Sequence, residues 1–331
     1  MTMRSVEPAH QTSWDGRAAI QFICGGAGAG LLFFTALAAF PQTSASGGRG
    51  EGWPVWTALF GMGFVSLGLL SVFIKLGRRW RAAFVVRNPF TSWMTREALL
   101  APPTLGLALL AILLNNAILL MAAAVFGLGF LYAQARILQE AQGIPAWREP
   151  LTVWLMVTTG LTEGAALWVM MAPFFGGEGG CIAGTTRSYT ALLVGLSAAR
   201  LGLWAVYRRK LAQPGAAPVR TNDALAEASR TIVVAGHIVP MLAALGALFF
   251  MAGEETRFLG ENGFLRQTAS GAIALGFIAG LAALLGGWYL KFTLIARAAF
   301  TQGFALVKTP ARTPGYSGPG TKPGWNRLYR K

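Results

Sequence analysis

The chain has 331 residues, of which 54% are hydrophobic and only 12% charged, against roughly 25% charged in an ordinary soluble domain. The apolar residues fall in unbroken blocks of about 20, the length of a helix crossing a ~30 Å hydrocarbon layer, which excludes the alternating pattern of a membrane β-barrel. The formal net charge of +15 sits almost wholly between those blocks, so it reads as membrane orientation and not as nucleic-acid binding.

A polar N-terminal segment carries His10 and ends in Trp14, Asp15 and Arg17. The first apolar block covers 18–40 and holds the run Gly25-Gly26-Ala27-Gly28-Ala29-Gly30. It is long enough to span and lacks a small-residue exit, so no cleavable leader is expected. No strand precedes the glycines, which favours close helix approach over phosphate binding. The second block covers 55–76. The stretch 99–133 is too long for one helix, and its only polar break, Asn115-Asn116, predicts two helices joined by a tight turn. The fifth block covers 151–174, the sixth 183–206, the seventh 231–252 and the eighth 268–296. The tail from Thr301 is rich in Pro, Gly and basic residues and cannot bury a core. The expected division is an eight-helix membrane domain over 1–300 and a tail over 301–331, either disordered or wrapped on a partner.

Orientation follows from the basic residues. Placed on eight spans, 24 of the 28 lysines and arginines fall on one side. Only Arg49, Arg187, Arg257 and Arg266 fall on the other. The prediction is an all-α, polytopic membrane protein with both termini in the cytoplasm. In this count Arg200 and Lys291 belong to the basic side.

Polar groups inside a membrane are costly and therefore candidates for function. Glu163 lies near the middle of the fifth block and reads either as a proton-relay carboxyl or as an acid hydrogen-bonded to a neighbouring helix. Apart from it the spanning core reads as almost free of charge. His237 is placed to hydrogen-bond a carbonyl ligand such as a quinone and pass a proton, or to bridge helices. The only other histidine is His10, so a bis-histidine haem site is excluded. Cys24 and Cys181 have no metal-ligand spacing, and no metal site is expected. The segment Gly77-Arg78-Arg79-Trp80-Arg81 through Arg87-Asn88-Pro89-Phe90-Thr91-Ser92-Trp93-Met94-Thr95-Arg96-Glu97 carries two tryptophans and a helix cap expected at Thr95. It reads as a structured interfacial segment, able to dock a partner or close a ligand pocket. The loop Gly143-Ile144-Pro145-Ala146-Trp147-Arg148-Glu149-Pro150 has the same character.

Trp14-Asp15 before the glycine-bearing helix, the Arg-Asn-Pro-Phe-Thr-Ser-Trp-Met-Thr-Arg-Glu loop and Ile-Pro-Ala-Trp-Arg before the fifth block together resemble one family. It is the NrfD / dimethyl sulfoxide reductase group of membrane anchors of complex iron–sulfur molybdoenzymes. The resemblance implies an eight-helix, haem-free subunit that binds ubiquinone or menaquinone near one membrane face. It also implies a four-cluster iron–sulfur subunit and a molybdopterin catalytic subunit as partners, which hold all the metal cofactors. On that likeness Asp15, Arg17, Gln21, Trp93, Arg96 and Glu97 are candidate quinone-pocket residues. His237 joins them on its depth alone. Arg78, Arg79, Arg81, Trp147 and Arg148 are candidate docking residues. The basic face implies partners on the cytoplasmic side of a bacterial inner membrane, as in sulfite dehydrogenase or phenylacetyl-CoA:acceptor oxidoreductase complexes. The competing expectation is a secondary transporter with a site near Glu163.

Overall fold

The computed structural model describes residues 3–5, 7–45, 55–75, 84–87, 89–175, 180–255 and 265–306. Its elements are β1 (Met3–Ser5), α1 (Gly16–Ala45), α2 (Val55–Lys75), α3 (Trp93–Leu114), α4 (Ala117–Gln139), α5 (Pro145–Arg148), α6 (Leu151–Phe175), α7 (Gly180–Leu211), α8 (Val219–Val233), α9 (Val239–Glu255), α10 (Leu265–Phe292) and β2 (Phe304–Leu306). A π turn over Val234–Ile238 joins α8 to α9, and another over Thr293–Arg297 follows α10. Among the described residues eight helices are long and apolar enough to cross a membrane, with α8 and α9 forming one of them. The chain is an all-α, polytopic membrane protein.

The Asn115-Asn116 turn forms as the sequence predicts. Asn115 adopts the left-handed conformation that ends α3, and the Asn116 side chain accepts from the Ile118 and Leu119 amides to start α4. The start of α3 differs from expectation, because Ser92 and not Thr95 is its N-cap. The seventh span also begins earlier, at Val219. Its first turns are amphipathic and so escape an apolar-block reading.

The centre of the bundle is α1, with 83% of its span buried against 22% for α3. Its glycines set that position. A Cβ on Gly28 would stand 2.5 Å from the Gly61 carbonyl of α2, and one on Gly30 would strike Gly160 and Gly164 of α6. Small residues let the backbones touch, where dispersion and not the hydrophobic effect holds helices together.

The first and last described segments meet on one face. β1 pairs antiparallel with β2, matching Arg4 to Ala305. Below it Thr301 donates to the Ala9 carbonyl at 2.9 Å and Gln11 to the Ala299 carbonyl at 3.0 Å. The last carbonyls of the α10 segment are taken by His10 Nε2 at Ala296 (2.9 Å), Gln11 Nε2 at Ile295 (3.3 Å) and Trp147 Nε1 at Leu294 (2.8 Å). These donors satisfy groups that every helix end leaves open. Residues 301–306 of the expected tail thus belong to the fold, and 307–331 lie outside the described residues.

Candidate functional site

A cavity of about 910 Å³ lies between α1, α2 and α3. Its lining is apolar except for a few groups, chiefly Gln21, Glu97 and Lys75. Gln21 Nε2 donates to Glu97 Oε1 at 2.7 Å, and Gln134 Nε2 donates to the Gln21 backbone carbonyl at 3.1 Å. Gly25 leaves room for Gln134, and Gly68 of α2 leaves room for the Gln21 side chain. Two candidates drawn from separate segments, Gln21 and Glu97, are therefore brought together on one wall. Trp14 also lines the cavity and packs between Phe22 and Trp147, at ring distances of 5.7 and 5.2 Å.

The other candidates sit around this wall. Asp15 is exposed and pairs with Lys75 at 3.1 Å, and the Lys75 ammonium bonded to it holds its carboxyl below the usual range. Arg17 is exposed. Trp93 stacks under the Arg96 guanidinium at 4.0 Å, with Arg136 at 4.8 Å. Arg96 also donates to the Pro89 and Phe90 carbonyls at 2.8 and 2.9 Å, so this pair shapes the loop before α3.

Two expectations are corrected by burial. Trp147 was expected at a docking surface, yet it is 1% exposed and holds α5 against α10 from inside. Of the two readings of His237, the quinone contact is not met, since it is buried away from the cavity, while the bridge between helices is, through Arg200 of α7. Arg148 is partly buried and donates to Gln302 Oε1 at 2.6 Å, within its own chain. Arg78, Arg79 and Arg81 lie outside the described residues.

His237 belongs to a second polar site, buried among α1, α6, α7, α9 and α10. Arg200 Nε donates to His237 Nε2 at 3.1 Å. Arginine has no acceptor, so Nε2 carries the lone pair and Nδ1–H donates to the Ile232 carbonyl at 2.7 Å. The histidine is neutral, with both nitrogens engaged. Arg200 also donates to the Gly236 carbonyl. Pro240 explains why that acceptor is free: it has no N–H to offer the residue four before it. The π turn completes the opening, with Val239 bonding back to Val234. Lys291 donates to Glu163 Oε2 and, at 3.0 Å, to the Phe22 carbonyl. Arg200, Glu163, His237 and Lys291 are all 0% exposed.

Glycines again make the room. A Cβ on Gly26 would lie 2.6 Å from Lys291 Nζ, and one on Gly287 would lie 2.6 Å from Glu163 Oε1 and 2.9 Å from Arg200 Nη1. The core is thus not almost free of charge, as the sequence reading had it. Arg200 and Lys291 leave the count of basic-face residues, which falls to 22 of 28. Both stand close to the ends of apolar blocks, where a charge looks like loop. In fact α7 runs on to Leu211, and helical structure continues past Lys291 to Arg297.

No group of metal-ligating side chains occurs among the described residues. No protein-family model matches the chain, and no curated protein matches it.

Proposed function

We propose that the chain is a quinone-binding membrane anchor, with its basic face toward the cytoplasm of a bacterial inner membrane. In this reading a four-cluster iron–sulfur subunit and a molybdopterin catalytic subunit dock on that face and exchange electrons with a quinone in the cavity. The observation that carries it is the meeting of Gln21 and Glu97 on the wall of an apolar cavity of about 910 Å³. Ligand pockets of roughly 300–1,000 Å³ are apolar with a few fixed polar groups, and this one has that character. A quinone needs an apolar slot for its ring and tail and a hydrogen-bonding group for each carbonyl. Gln21 supplies an amide, Glu97 a carboxyl that can hold or release a proton, and Trp14 a flat face.

The test is equilibrium binding of decylubiquinone and of a menaquinone-type naphthoquinone to the purified chain. One of the two is expected to bind saturably, and Gln21→Leu is expected to weaken it about tenfold, the value of one lost hydrogen bond. Absence of saturable binding for both quinones, or affinity unchanged in Gln21→Leu and Glu97→Gln, overturns the reading. Mild solubilisation is expected to recover an iron–sulfur protein and a molybdoenzyme with the chain.

The buried Glu163, Lys291 and Arg200 favour one alternative, a secondary transporter with its site at mid-membrane. Solute uptake into vesicles containing the chain alone separates the two, because an anchor moves no solute.

A further inference from the structure

We propose that the Glu163–Lys291 pair is a proton-exchange site behind the cavity wall, Glu163 accepting a proton that arrives by way of Glu97 and water held on the Gln21 and Gln134 amide oxygens. This goes beyond ligand binding and does not depend on which ligand the cavity takes.

Three observations carry it. The first is continuity. Gln134 and Lys291 approach α1 at neighbouring positions, donating to the consecutive carbonyls of Gln21 and Phe22. Gly25 admits the one and Gly26 the other. The Gln21–Gln134 group and the buried pair are therefore both bonded to one turn of α1. The second is a set of orphaned acceptors. Gln21 Oε1, Gln134 Oε1 and Glu163 Oε1 are buried and have no hydrogen-bond partner among the described residues. Buried polar atoms are as a rule satisfied, often by water; two of these three belong to the Gln21–Gln134 group beside Glu97 and the third to the buried pair.

The third is the charge balance. Groups facing Glu163 are Lys291 from α10, Arg200 from α7 and Cys24 from α1, with His237 behind Arg200. Arg200 stays charged, and His237 is held neutral by its two hydrogen bonds. Only the carboxyl–ammonium pair is left to change its proton count. On uptake the proton leaves the Glu97 carboxyl, crosses the water and forms an O–H on Glu163. Lys291 keeps its ammonium on the Phe22 carbonyl. Glu97 is refilled from the cavity. The cluster then carries one extra positive charge in a low-dielectric setting, so the proton returns by the same route when the cavity side needs it.

Infrared difference spectroscopy on the full chain in phosphatidylethanolamine–phosphatidylglycerol vesicles tests this without any ligand. Across a pH titration a protonated-carboxyl C=O stretch is expected that vanishes in Glu163→Gln and shifts in Glu163→Asp. In heavy water that band is expected to exchange at least about tenfold more slowly in Gln134→Leu, with the Glu97 band of the same sample as internal control. If Gln134→Leu does not fold, Gln21→Leu cuts the same route. The inference is overturned if no Glu163 band appears at any pH where the protein stays folded. It is equally overturned if the band's exchange rate is the same with and without the two amides.

Discussion

The cavity and the buried ion cluster lie on two sides of one helix and solve opposite problems. In the cavity the polar groups are few, and Glu97 keeps partial exposure, so a substitution there meets solvent or lipid. In the cluster two cations, one carboxylate and a histidine are wholly enclosed, and every charge depends on its neighbour. The glycines of α1 serve both, Gly25 toward Gln134 and Gly26 toward Lys291. The difference teaches that one turn of small residues can open a helix to a ligand on one side and to fixed charges on the other. It also means that the two sites are expected to fail in different ways.

Removing one charge from the cluster has the largest expected effect. Lys291→Met leaves Glu163 without its ammonium and is expected to cost ~3–5 kcal/mol, read as a large fall in unfolding temperature in detergent. Glu163→Gln combined with Lys291→Met is expected to recover only part of that loss, because Arg200 then remains buried without a carboxylate. If the single and double variants unfold alike, the pair is not interdependent.

Gly287→Ala changes no charged group and only inserts a methyl between Glu163 and Arg200. It is expected to cost about 1–3 kcal/mol by overpacking. Trp147→Phe comes next. It strands the Leu294 carbonyl and is expected to cost ~1–3 kcal/mol, read as a fall in unfolding temperature. On the cavity side Glu97→Gln is expected to move the unfolding temperature little while weakening quinone binding, the reverse of the cluster pattern. Comparable destabilisation by Glu97→Gln and Lys291→Met would erase the distinction between the sites.

The smallest effect belongs to the exposed Asp15–Lys75 pair. Lys75→Ala is expected to lower the unfolding temperature only slightly at neutral pH. Because Lys75 lowers the Asp15 pKa, the pair favours the folded state above the ordinary carboxylate pKa. That contribution is lost as pH falls through the lowered value, so Lys75→Ala and the wild type converge in acid.

Block length and the Asn115-Asn116 break were enough to place the eight spans, because hydrocarbon thickness leaves helices little freedom. Gln21 and Glu97 were legible only through their motifs, and nothing in their spacing says that α1 and α3 bring them together. Arg200 and Lys291 lie inside the blocks 183–206 and 268–296, yet their nearness to the basic ends assigned them to the basic side. The usable signal was local. Lys291 stands between Leu290 and Phe292, and Arg200 is followed by Leu201, Gly202, Leu203 and Trp204, so neither is bordered by polar residues as a loop would be. His237 was placed by depth along its helix, which says nothing about the direction it faces. The π turn and Pro240 decide that direction.

The clasp of β1 on β2, and of Lys291 on α1, has a consequence for biosynthesis. α1 precedes α10 in the chain and packs against it, so α1, the centre of the bundle, is fully packed only when α10 arrives. Until α10 is inserted, Glu163 and Arg200 are already in the membrane without Lys291. A chain stopped after α9 therefore lacks a cation as well as a helix, and leaves Glu163 without its Lys291 partner. The closing of the centre thus depends on α10, the element that carries Lys291.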